Sequence, residues 1–307
     1  MAHWLRSLPL LLSLAGLPGF AQPPDQAGGA AISVDVNLVV LHPSVRDKKG
    51  DFVSGLQREN FRVFEDGKLQ EIRVFQHEDV PVAVGLIVDH SGSMGGKRKD
   101  VAAAALAFAR TSNPGDEMFV VNFNERVSLG LLPAEPFSGD PAELEAALNR
   151  APATGETALY DAIEAGLAHL KKATLDKKVL IVISDGGDNA SHHTLEQVLD
   201  GAARSDVIIY TVGLFDDFQE DRNPRVLKRI ARQTGGEAYL PAETSEVVPI
   251  CRRIAEDIRN QYTIGYVPSN PALDNTYRTI RVTATGPHGE KYAVRTRAGY
   301  IAAKELQ

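Results

Sequence analysis

The chain has 307 residues, with 33 Lys and Arg against 40 Asp and Glu, a formal charge of −7 at pH 7, and a single cysteine. That balance argues against nucleic acid, which calls for a basic face, and against a membrane surface for the same reason. One cysteine excludes any intrachain disulfide, and the length allows about two domains.

Residues 1–21 open MAHWLR, continue LPLLLSLAGL and end with the small residues Gly19 and Ala21, the pattern of a secretory signal peptide cleaved after Ala21. The apolar run is about ten residues, half of the roughly twenty needed to span a bilayer. The expectation is an exported chain, periplasmic or secreted, with no transmembrane segment once the leader is removed. An uncleaved interfacial anchor is the competing reading, and the polar QPPDQAGG stretch that follows disfavours it. No cysteine stands near the cleavage point to carry a lipid. Residues 22–31, rich in Pro, Gly and Ala, read as a flexible lead-in.

From Ile32 the apolar positions alternate through Val34, Val36, Leu38 and Val40, a strand with one buried face. In FRVFEDGKLQEIRVFQ the Asp66-Gly67 pair separates β-rich runs and signals a hairpin. Residues 32–79 therefore read as the first half of a β-sandwich-like module. YTIGYVP, TYRTIRVTAT and KYAVRTRAGYI, with a turn at PHG, supply the second half over 262–303. Neither flank is large enough to bury a good core alone, so the two are expected to pair.

The segment 80–261 differs in kind. PVAVGLIVD, MFVVNFN, KKVLIVISD and VIIYTVGLF are continuous apolar runs, as in strands buried on both faces. Helical patterns alternate with them, which predicts an α/β fold with a doubly wound, mostly parallel sheet. ERVSLGLLP follows MFVVNFN almost at once and predicts an antiparallel edge strand. Cys251, Ile254 and Ile258 recur at helical spacing, so the thiol is expected in a helix–sheet core rather than in an intermolecular disulfide.

Five oxygen-bearing side chains sit where buried elements give way to loops: Asp89, Ser91 and Ser93 in VDHSGSM, Thr157 in GETALYD, and Asp185 in ISDGGDN. Two carboxylates and three hydroxyls suit one hard divalent ion and leave part of an octahedron open. Each residue also has a plain structural reading. Ser91, Ser93 or Thr157 could cap a following helix, and Asp185 could shape a turn before Gly186 and Gly187.

Taken together, D-x-S-x-S after an apolar strand, the downstream G-x-T-A-L-Y-D-A, and a strand ending in S-D-G resemble the metal-ion-dependent adhesion site of von Willebrand factor type A domains. The resemblance covers roughly residues 80–262, and the flanks resemble those of bacterial exported proteins that carry such a domain between β-rich segments. It implies Mg²⁺, with Mn²⁺ or Ca²⁺ as substitutes, held by Asp89, Ser91, Ser93, Thr157 and Asp185. It also implies a protein partner whose Asp or Glu carboxylate completes the coordination. Loops around His90, Met94, Gly95 and Lys97, the GETA turn, the DNASHH loop from Asp188 to His193 and the acidic LFDDFQED loop are expected to form the rim. Asp216, Asp217, Glu220 and Asp221 in that loop could hold a second Ca²⁺, although acidic loops are usually solvated faces.

An enzyme is the rival class. No P-loop, dinucleotide fingerprint, nucleophile elbow or H-E-x-x-H is present. A metal-assisted hydrolase would need a general base beside the five ligands, and none is evident. The remaining alternative is a scaffold in which the ion only stiffens loops. The expectation is a non-enzymatic binding module.

Overall fold

The computed structural model describes residues 38–113, 115–152, 154–215 and 222–303, all within one compact unit, Val36–Gln307. The leader, the lead-in, Ile32 to Val36 of the first expected strand, and the acidic cluster of Asp216, Asp217, Glu220 and Asp221 lie outside the described residues. No helix among the described residues is long and apolar enough to cross a membrane.

The first β segment contains β1 (Val39–Leu41), β2 (Ser44–Arg46), β3 (Phe61–Glu65), β4 (Lys68–Gln70) and β5 (Ile72–Gln76). Asp66 and Gly67, both at positive φ, close the β3–β4 hairpin, a backbone that Asp tolerates and Gly favours. The central segment runs β6 (Ala83–Asp89), α1 (Arg98–Arg110), β7 (Glu117–Phe123), β8 (Val127–Leu129), α2 (Pro141–Leu148), α3 (Leu159–Leu170), β9 (Lys178–Ser184), α4 (Leu195–Ala203), β10 (Ile208–Gly213), α5 (Pro224–Thr234), β11 (Ala238–Tyr239) and α6 (Val247–Arg259). The chain ends with β12 (Thr263–Tyr266), β13 (Tyr277–Ala284), β14 (Ala293–Arg295) and β15 (Gly299–Ile301).

Among the described residues the central strands form a six-stranded sheet in the order β11-β10-β9-β6-β7-β8, parallel except for β8. The chain moves one way from β6 to β7 and β8, then returns to the other side of β6 for β9, β10 and β11. The crevice beyond the carboxyl ends of β6 and β9 lies at that reversal, where open α/β sheets place ligands. Helices cover both faces. Val84, Leu86 and Val88 pack with α1, α2 and α6, whereas Ala83 and Ile87 face α3, α4 and α5. Gly85 shares that second face. A Cβ there would come within 2.4 Å of the Phe119 ring and 2.6 Å of the Leu180 side chain, so these two side chains pack over the bare glycine backbone.

The flanking strands pair across the sequence, β1-β12-β5 in one sheet and β15-β13-β3-β4 in another, with β2 joined to β14. Leu41, Phe61, Val63, Tyr262, Ile264, Tyr266 and Ile280 fill the space between them, the sandwich-like layer arrangement. Cys251 is buried in the α6 core, and burial pushes its thiol up to about 12. β11 did not register as a strand in the sequence, because GGEAYLP lacks a β-rich run.

The β module grips the central segment through Asp257 of α6, whose side chain is fully buried. Its carboxylate accepts from Ser44 Oγ at 2.5 Å and Tyr210 OH at 2.8 Å, and pairs with Arg295 of β14. Removing one partner of a buried pair leaves the other charge uncompensated. Asp257→Ala is therefore expected to lower stability by about 3 kcal/mol in urea unfolding. His42, on the same junction, is pushed down to about 3 by burial, with Lys177 and Arg297 adding to the effect. The unfolded chain takes up that proton through about pH 6.5, but the folded chain waits until about 3, so this group's contribution falls on acidification below 6.5, by up to about 1.4 kcal/mol per pH unit. His42→Gln should flatten the stability profile between those limits, read by denaturant midpoints across pH.

Candidate metal centre

β6 and β9 end side by side, with Val88 opposite Ile183 in register. One step further, Ser184 Oγ donates to Asp89 Oδ2 at 2.6 Å. The turn after β6 folds back on the same carboxylate, since the Ser91 N–H donates to Asp89 Oδ1 at 2.8 Å. Ser91 Oγ and Ser93 Oγ are 3.1 Å apart, and Ser93 Oγ donates to Asp185 Oδ2 at 2.6 Å. The Gly187 N–H holds the other Asp185 oxygen at 3.0 Å. Four of the five oxygen-bearing residues singled out in the sequence thus form one hydrogen-bonded cluster.

Thr157 joins the group through backbone contacts. The Gly92 N–H donates to the Gly155 carbonyl at 3.1 Å, tying the loop before α3 to the turn after β6. On the other side the Thr157 N–H donates to Asn189 Oδ1 at 2.8 Å, while the Asn189 N–H donates back to the Thr157 carbonyl at 3.0 Å. Thr157 is buried.

The capping readings fail on geometry. Ser91 stands at the N-cap of a 3₁₀ turn, Gly92–Lys97, but makes no side-chain cap bond. Lys97 occupies the N-cap of α1, and Ala158 that of α3. Neither serine hydroxyl makes a helix-closing bond, and both belong to the polar cluster, while Thr157 stands one residue before the N-cap of α3. Gly186, at positive φ, does form the turn after Asp185, so the turn and cluster roles coexist there.

Asp89 and Asp185 are only 2% and 1% exposed. Burial raises the Asp89 carboxyl to about 6 against the pull of Ser184 and Ser91, and the charge of Asp185 adds to the rise. Among the described residues Asp89 has no ion-pair partner and no three His, Cys, Asp or Glu side chains converge. The donor set is thus two carboxylates and neutral hydroxyls, which fits a hard divalent cation and compensates a carboxylate that burial disfavours.

The rim differs from expectation. His90, Met94 and Lys97 are buried, so they support the turn instead of facing a partner. His90 Nε2 lies 2.9 Å from Asn122 Oδ1, and Lys97 Nζ donates to the Leu214 carbonyl at 3.1 Å. Gly95, Gly96 and Glu156 are exposed, as are His192 and His193. Both histidines donate backbone N–H groups to Asp161 of α3, at 3.0 and 2.9 Å. Burial opposes ionisation of Asp161, but these N–H bonds and the two imidazoles hold it well below the usual carboxylate range.

Sequence reasoning missed Ser184, and gave Asp188 and Asn189 only a place in a rim loop. Ser184 orients Asp89, while Asp188 and Asn189 anchor the start of α3, the first through Ser191 and the Tyr160 N–H. Their signal was the polar run S-D-G-G-D-N, of which only the first Asp stood out as a ligand. Ser184→Ala strips a buried carboxylate oxygen of its donor. It is expected to lower stability by about 1–3 kcal/mol in chelator-containing buffer, measured by urea unfolding.

Residues 84–187 match the family model for the von Willebrand factor type A domain. A curated Synechocystis protein, the uncharacterized protein sll0103, is 26% identical over 185 residues, and the match takes in 59% of this chain and 42% of that protein's length. Among solved structures, a von Willebrand factor type A protein from Catenulispora acidiphila superposes with a TM-score of 0.52 at 16% identity, covering 83% of this chain and 76% of its own. Proximal thread matrix protein 1 from the mussel byssus, in a form whose MIDAS motif is occupied by zinc, gives 0.51 at 16% identity over 63% of this chain and 49% of its own. At these identities the solved structures speak for the fold. With the motif-bearing turns inside the matched span and the sheet order around them, the chain carries a von Willebrand factor type A domain.

Proposed function

We propose that Asp89, Ser91, Ser93, Thr157 and Asp185 hold one divalent cation, with Mg²⁺ first and Mn²⁺ or Ca²⁺ as substitutes, and that the site binds a protein partner through an Asp or Glu carboxylate. On this reading residues 80–261 are the binding domain, and 32–79 with 262–303 form the module that carries it. Export after loss of residues 1–21 places both outside the cytoplasm. The role is non-enzymatic.

The observation that carries the proposal is the 2.6 Å bond from Ser93 to Asp185, which joins two strand ends 92 residues apart beside the buried Asp89. When bound, the cation supplies a positive centre with a coordination position that an incoming carboxylate completes. The chain's own residues do the rest. Asp89 and Asp185 contribute two negative charges, while Ser184 and the Gly187 N–H hold their carboxylates in place. The hydroxyl donors are neutral, so the loaded site keeps its attraction for an anion. Exposed Gly95, Glu156, His192 and His193 border the approach and select among partners. The mussel protein's zinc-occupied motif supports a divalent ion at such a turn arrangement.

Calorimetric titration of the metal-free protein with MgCl₂, MnCl₂, CaCl₂ and ZnCl₂ ranks the ions directly. Asp89→Ala and Asp185→Ala should each weaken binding by about tenfold or more while far-UV circular dichroism stays native. Capture of partners from an exported-protein fraction should be lost with EDTA and with Asp89→Ala. Capture that survives both treatments would remove the proposal.

A further inference from the structure

A second cleft lies beside α5 and shares no lining residue with the metal cluster. Between α5 and the strands β13 and β14 there is a cleft of about 590 Å³, within the size range of small-ligand sites. Lys228 and Arg232 line it from α5, one helical turn apart and hence on one face. Arg281 lines it from β13, its guanidinium stacked 4.0 Å over the Phe64 ring. Among the described residues none of these three has an ion-pair partner. The other charges at the cleft are engaged. Arg295 pairs with Asp257, Arg297 with Asp206 at 2.7 Å, and Glu237 with Arg46 at 2.8 Å.

The backbone adds a donor. The Ile280 N–H donates to the Ala298 carbonyl, so β13 turns its even-numbered N–H groups away from β3 and toward this side. Residues 293–295 then leave β13 to pair with β2, and the Val282 N–H opens onto the gap between them. Three uncompensated cations and a peptide N–H converge on a concavity in a chain whose formal charge is −7. A single carboxylate would leave most of that charge unmatched, whereas a phosphate group brings nearly two negative charges and suits the forked donors of arginine.

We infer that this cleft binds a ligand bearing a phosphate-class oxyanion, independently of the metal centre. The test uses the full chain in EDTA-containing, low-salt buffer, so that no divalent ion bridges probe and protein. Sodium tripolyphosphate is titrated calorimetrically, and sedimentation with phosphatidylcholine vesicles containing phosphatidylglycerol asks whether a lipid headgroup is the source instead. Tripolyphosphate should bind the wild type, weaken with added salt, and lose about tenfold or more in affinity with Lys228→Ala/Arg232→Ala. The charge-conserving Lys228→Arg/Arg232→Lys should bind within a few-fold of wild type. Arg229→Ala, on the same helix but paired with Glu196, should leave binding unchanged. Variant-sensitive binding to vesicles alone assigns the same chemistry to a lipid headgroup. The inference is overturned if neither probe binds, or if Arg229→Ala and Lys228→Ala/Arg232→Ala weaken binding equally.

Discussion

Two carboxylates buried at the ends of adjacent parallel strands are the constraint around which this molecule is arranged. Asp89 and Asp185 sit 2% and 1% exposed, within reach of one chain of hydrogen bonds through Ser91 and Ser93. Burial in a low-dielectric crevice disfavours a charged carboxylate, and the rise of the Asp89 carboxyl to about 6 expresses that penalty, with the charge of Asp185 adding a smaller share. A hard cation at the meeting point would offset that penalty directly.

The rest of the central fold serves that meeting point. Parallel register between β6 and β9 sets Ser184 beside Asp89, and the strand-order reversal at β6 opens the crevice above them. The loop before α3 is pinned from both sides, by Gly92 through Gly155 and by Asn189 through Thr157. At the opposite end, Asp257 holds α6 to the β module through partners from β2 and β14, and to the central sheet through Tyr210 of β10. Lys177 adds a bond from the start of β9 to the Ile258 carbonyl, and Arg259 pairs with Asp116. The two ends of the sheet thus differ in chemistry: polar oxygen atoms face the crevice at one, and a network of ion pairs closes the other.

Much of this was legible before any coordinates. Continuous apolar runs marked β6, β7, β9 and β10 because strands covered on both faces have no polar side to show. The short link between β7 and β8 marked the antiparallel edge, and Asp66-Gly67 marked a hairpin that needs positive φ. What escaped were features without a local pattern. β11 is a two-residue edge strand that depends on β10 for its existence. His90, Met94 and Lys97 looked like rim residues by their nearness to the motif, yet the 3₁₀ turn directs them inward. The capping alternative for Ser91 and Thr157 could be settled only by backbone angles and donor positions.

By itself the amino-acid order determined the alternation of strand and helix, the sandwich-forming flanks and the identity of the oxygen donors, since hydrophobic period and side-chain chemistry are local properties. Tertiary structure alone decided which donors meet, that Ser184 and Asn189 position them, and that Lys228, Arg232 and Arg281 share one cleft. Those outcomes depend on strand order and on segments distant in the chain coming into register, and no window of sequence contains that information.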